Sequence, residues 1–84
     1  MNKDEIRCRV LKVVESEVFM GKLPPIDDNE LLGEEGAGID SLNFLKLLTA
    51  LEKEFGNKIE DEYWDYYSLK TLNSIVEYFY EHAV

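Results

Sequence analysis

The run from Ser41 to Phe55 constrains this chain most. Leu42, Leu45, Leu48 and Leu51 lie on one helical track, and Phe44, Leu47 and Phe55 lie on the adjacent one. That spacing predicts a helix with an unusually broad apolar surface, some of it left uncovered by the chain's own core. Asp40 stands at the N-cap position, where its carboxylate can accept hydrogen bonds from free first-turn amides. Gly56 stands where a left-handed residue ends a helix.

Two further helices follow from the same reasoning. From Lys3 to about Met20, apolar residues fall at Ile6, Val10, Val13 and Val14, with Leu11 and Val18 widening the stripe. The end of this helix is expected near Gly21, with Pro24 and Pro25 preventing continuation. From Thr71 to about His82, Leu72, Ile75, Val76 and Phe79 repeat at i, i+3, i+4 and i+7. Glu60 to Tyr66 fits a short helix with acids in its first turn. Leu23 to Ile39 is a long connection with turn formers (Pro24, Pro25, Gly33, Gly36, Gly38) and apolar anchors (Ile26, Leu31, Leu32, Ile39). It reads as an ordered loop laid over the core, with one short helical turn around Asn29 to Leu32. The fold class is therefore all-α: a four-helix bundle, three helices long and one short, with a long first loop.

At 84 residues and 45% hydrophobic, residues 1–84 form one small domain able to bury a core. No apolar run approaches the length of a membrane span, and Met1 to Glu5 is too polar for a signal peptide, so a cytoplasmic address is expected. A net charge of −9 excludes general nucleic-acid binding and points toward basic protein partners or simple solubility. Cys8 is the single cysteine, which removes internal disulfides and cysteine-based metal clusters. It falls opposite Ile6, Val10 and Val13 and is expected on the surface.

Chemistry concentrates at Gly38-Ile39-Asp40-Ser41-Leu42. With Asp40 as cap, the Ser41 hydroxyl lies exposed on the first turn, beside the positive end of the helix dipole. A phosphate esterified to it would sit where helix N-termini favour anions. An Asp-Ser pair alone is usually only a cap. Nucleophilic catalysis is poorly supported, because the only histidine is His82, near the C-terminus. Asp27-Asp28-Asn29-Glu30 fails the EF-hand template, with Leu31 and Leu32 where an oxygen ligand and glycine belong. Those acids read as a solvated loop with a helix N-cap among them. Tyr63, Trp64, Tyr66 and Tyr67 stand in acidic surroundings, which suits packing rather than base stacking. Tyr78 and Tyr80 are expected to flank the buried face of the last helix.

Taken in order, these segments resemble an acyl carrier protein, in the phosphopantetheine-binding carrier family. The resemblance rests on Gly38 to Leu42, Leu51-Glu52-Lys53-Glu54-Phe55-Gly56, Ile59-Glu60-Asp61 and Thr71 to Tyr78. It implies a covalent 4′-phosphopantetheine on Ser41, added from coenzyme A by a phosphopantetheinyl transferase that uses Mg²⁺. It also implies that acyl groups travel as thioesters between loading, synthase and acyltransferase-type enzymes, the carrier itself catalysing nothing. Asp40 and Leu42 match positions beside the modified serine, Leu42 meeting the transferase and other partners. The helix from Ser41 matches the family's recognition helix. Carriers of this kind can fold an acyl chain into the bundle, which Leu45, Leu48 and Leu51 would suit as well as they suit an ordinary core.

The departures concern charge. Fatty-acid carriers have a strongly acidic recognition helix, whereas here Lys46 and Lys53 cancel Glu52 and Glu54. Asn43, Lys46 and Lys53 stand where that subfamily usually has acids. The acidity lies instead in the preceding loop and the short helix. Charge reversal at a docking surface redirects partner choice more than it alters fold. The expectation is a free-standing, monomeric carrier of a specialised fatty-acid or polyketide-type pathway. The alternatives are an aminoacyl or peptidyl carrier, which more often has Gly-Gly before the serine, and an unmodified helical interaction module.

Overall fold

The computed structural model describes residues 2–64 and 69–82. Among the described residues there are three α-helices: α1 (Lys3–Glu17), α2 (Ser41–Phe55) and α3 (Leu72–His82). Helix α1 packs against both α2 and α3. Its Ile6, Val10, Val13 and Val14 meet Phe44, Leu47, Leu48 and Leu51 of α2 and Leu72, Ile75, Val76, Tyr78 and Phe79 of α3 in one core. Burying each large aliphatic side chain contributes about 1.5–3 kcal/mol, so this shared core decides the arrangement.

The termini of α2 are as the sequence predicts. Asp40 accepts the Asn43 amide at 2.8 Å, and Gly56 closes the helix at φ +67° with its amide on the Glu52 carbonyl. Helix α1 stops earlier than its periodicity predicts. The Val18 and Phe19 amides both turn back to the Val14 carbonyl, and Met20 and Gly21 take φ of +56° and +89°. The chain thus reverses while Val18 and Phe19 stay packed on the core. Helix α3 begins one residue later than expected, Thr71 capping it through its hydroxyl, which accepts the Ser74 amide at 3.0 Å.

Where a fourth, short helix is expected from Glu60 to Tyr66, the described residues hold one 3₁₀ turn, Asp61–Tyr63. Asp65 and Tyr66 lie outside the described residues, as does Tyr67. The helical turn expected at Asn29 to Leu32 does not form. The Glu30 amide closes a turn on the Asp27 carbonyl, and Leu31 pairs instead with Thr71 in an isolated antiparallel bridge. Nor is there a helix N-cap among those acids: Asp28 pairs with Arg7 at 2.8 Å and accepts the Asn73 amide on its carbonyl. The loop is therefore stitched to α1 and to the approach to α3, with Leu32 and Ile39 buried as anchors. Among the described residues no helix is long and apolar enough to cross a membrane.

Tyr78 is buried rather than flanking, its hydroxyl accepting the Glu60 amide at 3.0 Å. Tyr80 is exposed, with the Lys3 ammonium 5.1 Å from its ring centre. Cys8 is on the surface as expected.

Candidate functional site

The approach to α2 is built from backbone. Leu32 donates its amide to the Lys70 carbonyl at 2.8 Å, and Ile39 donates to the Leu32 carbonyl at 2.9 Å. Between them the chain turns tightly: Gly36 and Gly38 both donate to the Gly33 carbonyl, and Ala37 donates to that of Leu31. Gly36 is obligatory here, because a Cβ would stand 1.9 Å from the Leu31 carbonyl oxygen. Gly38 has φ +88°, a conformation glycine adopts without strain. Ile39 then plugs into the core, and Asp40 begins the helix.

Asp40, Ser41, Leu42 and Asn43 come together on the first turn of α2. The Asp40 carboxylate takes the Asn43 amide and its carbonyl takes the Phe44 amide, leaving the Ser41 and Leu42 amides at the positive end of the helix. Ser41 and Leu42 face solvent, Leu42 at 77% exposure. Leu45 is 44% exposed, whereas Leu48 and Leu51 are fully buried. The expected broad apolar surface is thus uncovered only at the serine end. Lys46 and Lys53 are exposed, and Lys53 lies about 18 Å along the axis from Ser41 at 1.5 Å per residue.

A groove of about 330 Å³ opens beside Ser41, lined by Ile39, Phe44, Leu45 and Trp64, with Gly33, Glu34 and Glu35. The Trp64 indole is held by donating to the Ile59 carbonyl at 2.9 Å. Sequence reasoning assigned Trp64 to packing and missed the groove. Its walls come from three separate segments, and no local spacing records their meeting. His82 is engaged elsewhere: its Nδ1 lies 2.9 Å from the Tyr78 carbonyl oxygen, and its ring stacks on Tyr78 at 4.2 Å.

An exposed hydroxyl on a capped helix start, carried by a small three-helix core, defines a helical module that displays one serine. Residues 5–79 match the family model described as "Phosphopantetheine attachment site", and the chain belongs to that phosphopantetheine-binding carrier family. The family carries 4′-phosphopantetheine covalently on a serine, and its carrier domains are not themselves catalytic. No curated protein matches the chain.

The residues present fit that group. Ser41 offers an accessible oxygen for the phosphodiester, and the first-turn amides of α2 suit an anion.

Proposed function

We propose that the chain is an acyl carrier protein with Ser41 as its attachment point. The observation that carries this reading is the exposed Ser41 hydroxyl on the first turn of α2, inside the segment that matches the attachment-site family. The bound arm supplies a thiol that holds acyl groups as thioesters. Asp40 keeps the first turn closed and the Ser41 oxygen presented to a phosphopantetheinyl transferase. Leu42 offers that enzyme, and later partners, an apolar contact. Phe44, Leu45 and Trp64 would line the arm's path along the groove. The chain itself carries out no chemical step in this scheme.

Asn43, Lys46 and Lys53 select the acyl-loading, synthase and acyltransferase-type enzymes. A helix with as many lysines as glutamates supports a specialised fatty-acid or polyketide-type pathway over a housekeeping one. A cytoplasmic monomer belongs to the same proposal.

The test is intact-mass spectrometry after incubation with a promiscuous phosphopantetheinyl transferase, coenzyme A and Mg²⁺. The wild-type chain should gain one phosphopantetheine and Ser41→Ala should gain none, while melting within about 0.5 kcal/mol of wild type, as expected for an exposed side chain. A folded wild type that gains nothing, while a known carrier is modified alongside, would overturn the proposal.

A further inference from the structure

The outward ridge of α2 is chemically unlike the rest of the molecule. The chain has a net charge of −9, yet the exposed ridge from Ser41 onward presents Leu42, Leu45, Lys46, Thr49 and Lys53. Lys58 extends it beyond the helix, sharing a groove with Thr49 and Lys53. One of the helix's two acids is drawn off this face: Glu54 is paired with Arg9 at 2.7 Å. Glu52 stays at its edge, in the groove with Thr49, Lys53 and Lys58, its carboxylate accepting the Ile59 amide at 2.8 Å. No carboxylate pairs with Lys46, Lys53 or Lys58 among the described residues. Acids gather instead at the serine end, as Glu34, Glu35 and Asp40. The helix is neutral in sequence but polarised in space.

We infer that this ridge docks on partner enzymes through an apolar socket for Leu42 flanked, on the side away from the serine, by carboxylates that meet Lys46, Lys53 and Lys58. The inference rests on the carrier reading of Ser41 and adds the charge of the partner's surface. Charge complementarity carries it. Long-range attraction to basic surfaces is what the whole chain's acidity would give, and this face reverses that sign locally. A partner with a basic rim would meet three ammonium groups against the single carboxylate of Glu52. A partner with an acidic rim would meet three attractive ones, and Leu42 would be desolvated in the same contact.

The experiment uses the phosphopantetheine-loaded full chain, acylated, with two condensing enzymes. One has aspartates and glutamates around its carrier-docking entrance, and the other has lysines and arginines there. Acyl transfer to the acid-rimmed enzyme should be faster by about tenfold at low ionic strength, and the advantage should shrink with added salt. The double substitution Lys46→Glu with Lys53→Glu should reverse the ratio, its folding checked by circular dichroism. A wild-type preference for the basic-rimmed enzyme, or a ratio unmoved by the double substitution, would overturn the docking inference alone. Failure of the wild-type chain to accept phosphopantetheine would overturn it together with the carrier reading.

Discussion

At the C-terminal end of α2 the contacts that tie the helix to the rest of the core come from side chains, whereas at the N-terminal end the approach is held mainly by backbone amides and carbonyls. Arg9 donates to the Glu54 carboxylate at 2.7 Å and to the Glu54 carbonyl at 2.8 Å, and it lies 4.9 Å over the Phe55 ring. Phe55 in turn stacks on Phe79 at 4.4 Å. At the serine end, the amides of Leu32, Ala37, Gly38 and Ile39 fix the approach, and the Asp40 side chain caps the helix. The difference teaches how a surface is kept available. A site secured by its backbone leaves Ser41, Leu42 and Leu45 uncommitted, while the far end spends its side chains on anchoring.

The most damaging way to break this contrast is Gly36→Ala. Its Cβ would collide with the Leu31 carbonyl oxygen, so the loop must open, at a cost of about 3 kcal/mol in urea unfolding. A loss below about 0.5 kcal/mol would show that the backbone turn is not what holds the serine end. Next comes Arg9→Ala, which removes a partly exposed ion pair, a carbonyl contact and a ring contact together. About 1–2 kcal/mol should be lost, with Arg9→Lys recovering only part because lysine lacks the planar fork. Asp40→Ala, removing the side-chain cap at the serine end, should cost about 1 kcal/mol in the same assay. Should it cost more than Arg9→Ala, the division between the two ends fails.

The smallest effect sharpens the picture just beyond the C-terminal end. Partial burial, then the carboxylates of Glu62 and Glu60, then Tyr78 and Glu81, push the Tyr63 phenol above its ordinary value. The folded chain therefore keeps this proton to higher pH than the unfolded chain. Stability is fully present below about pH 10 and declines as pH rises from there. Melting temperatures across the alkaline range should fall less steeply for Tyr63→Phe. An identical alkaline limb in the two proteins would remove Tyr63 from the account.

Much of α2 is legible in the sequence because its signals are local. Asp40, the leucine tracks and Gly56 each act within a turn or two, and the helix runs between them as read. The serine's place on the first turn follows from the cap. What escapes is set by neighbours distant in sequence. Leu42 and Leu45 share a track with Leu48 and Leu51; that some of this surface stays uncovered is legible, but not that it is the serine end, where Leu42 and Leu45 are exposed. In α1, Val18 and Phe19 continue the apolar pattern into a segment that has already turned back. Gly36 is visible as a turn former, yet the carbonyl it must avoid becomes apparent only once Leu31 is bridged to Thr71.

That bridge has a consequence for the order in which the molecule comes together. Leu31 and Thr71 meet only by closing a long span of chain, and such closures are entropically late compared with winding a helix. Helix α2 can therefore wind while its entrance is still unformed. The shape around the serine is finished only when the segment leading into α3 has arrived. Any enzyme that reads that shape also reads whether folding is complete.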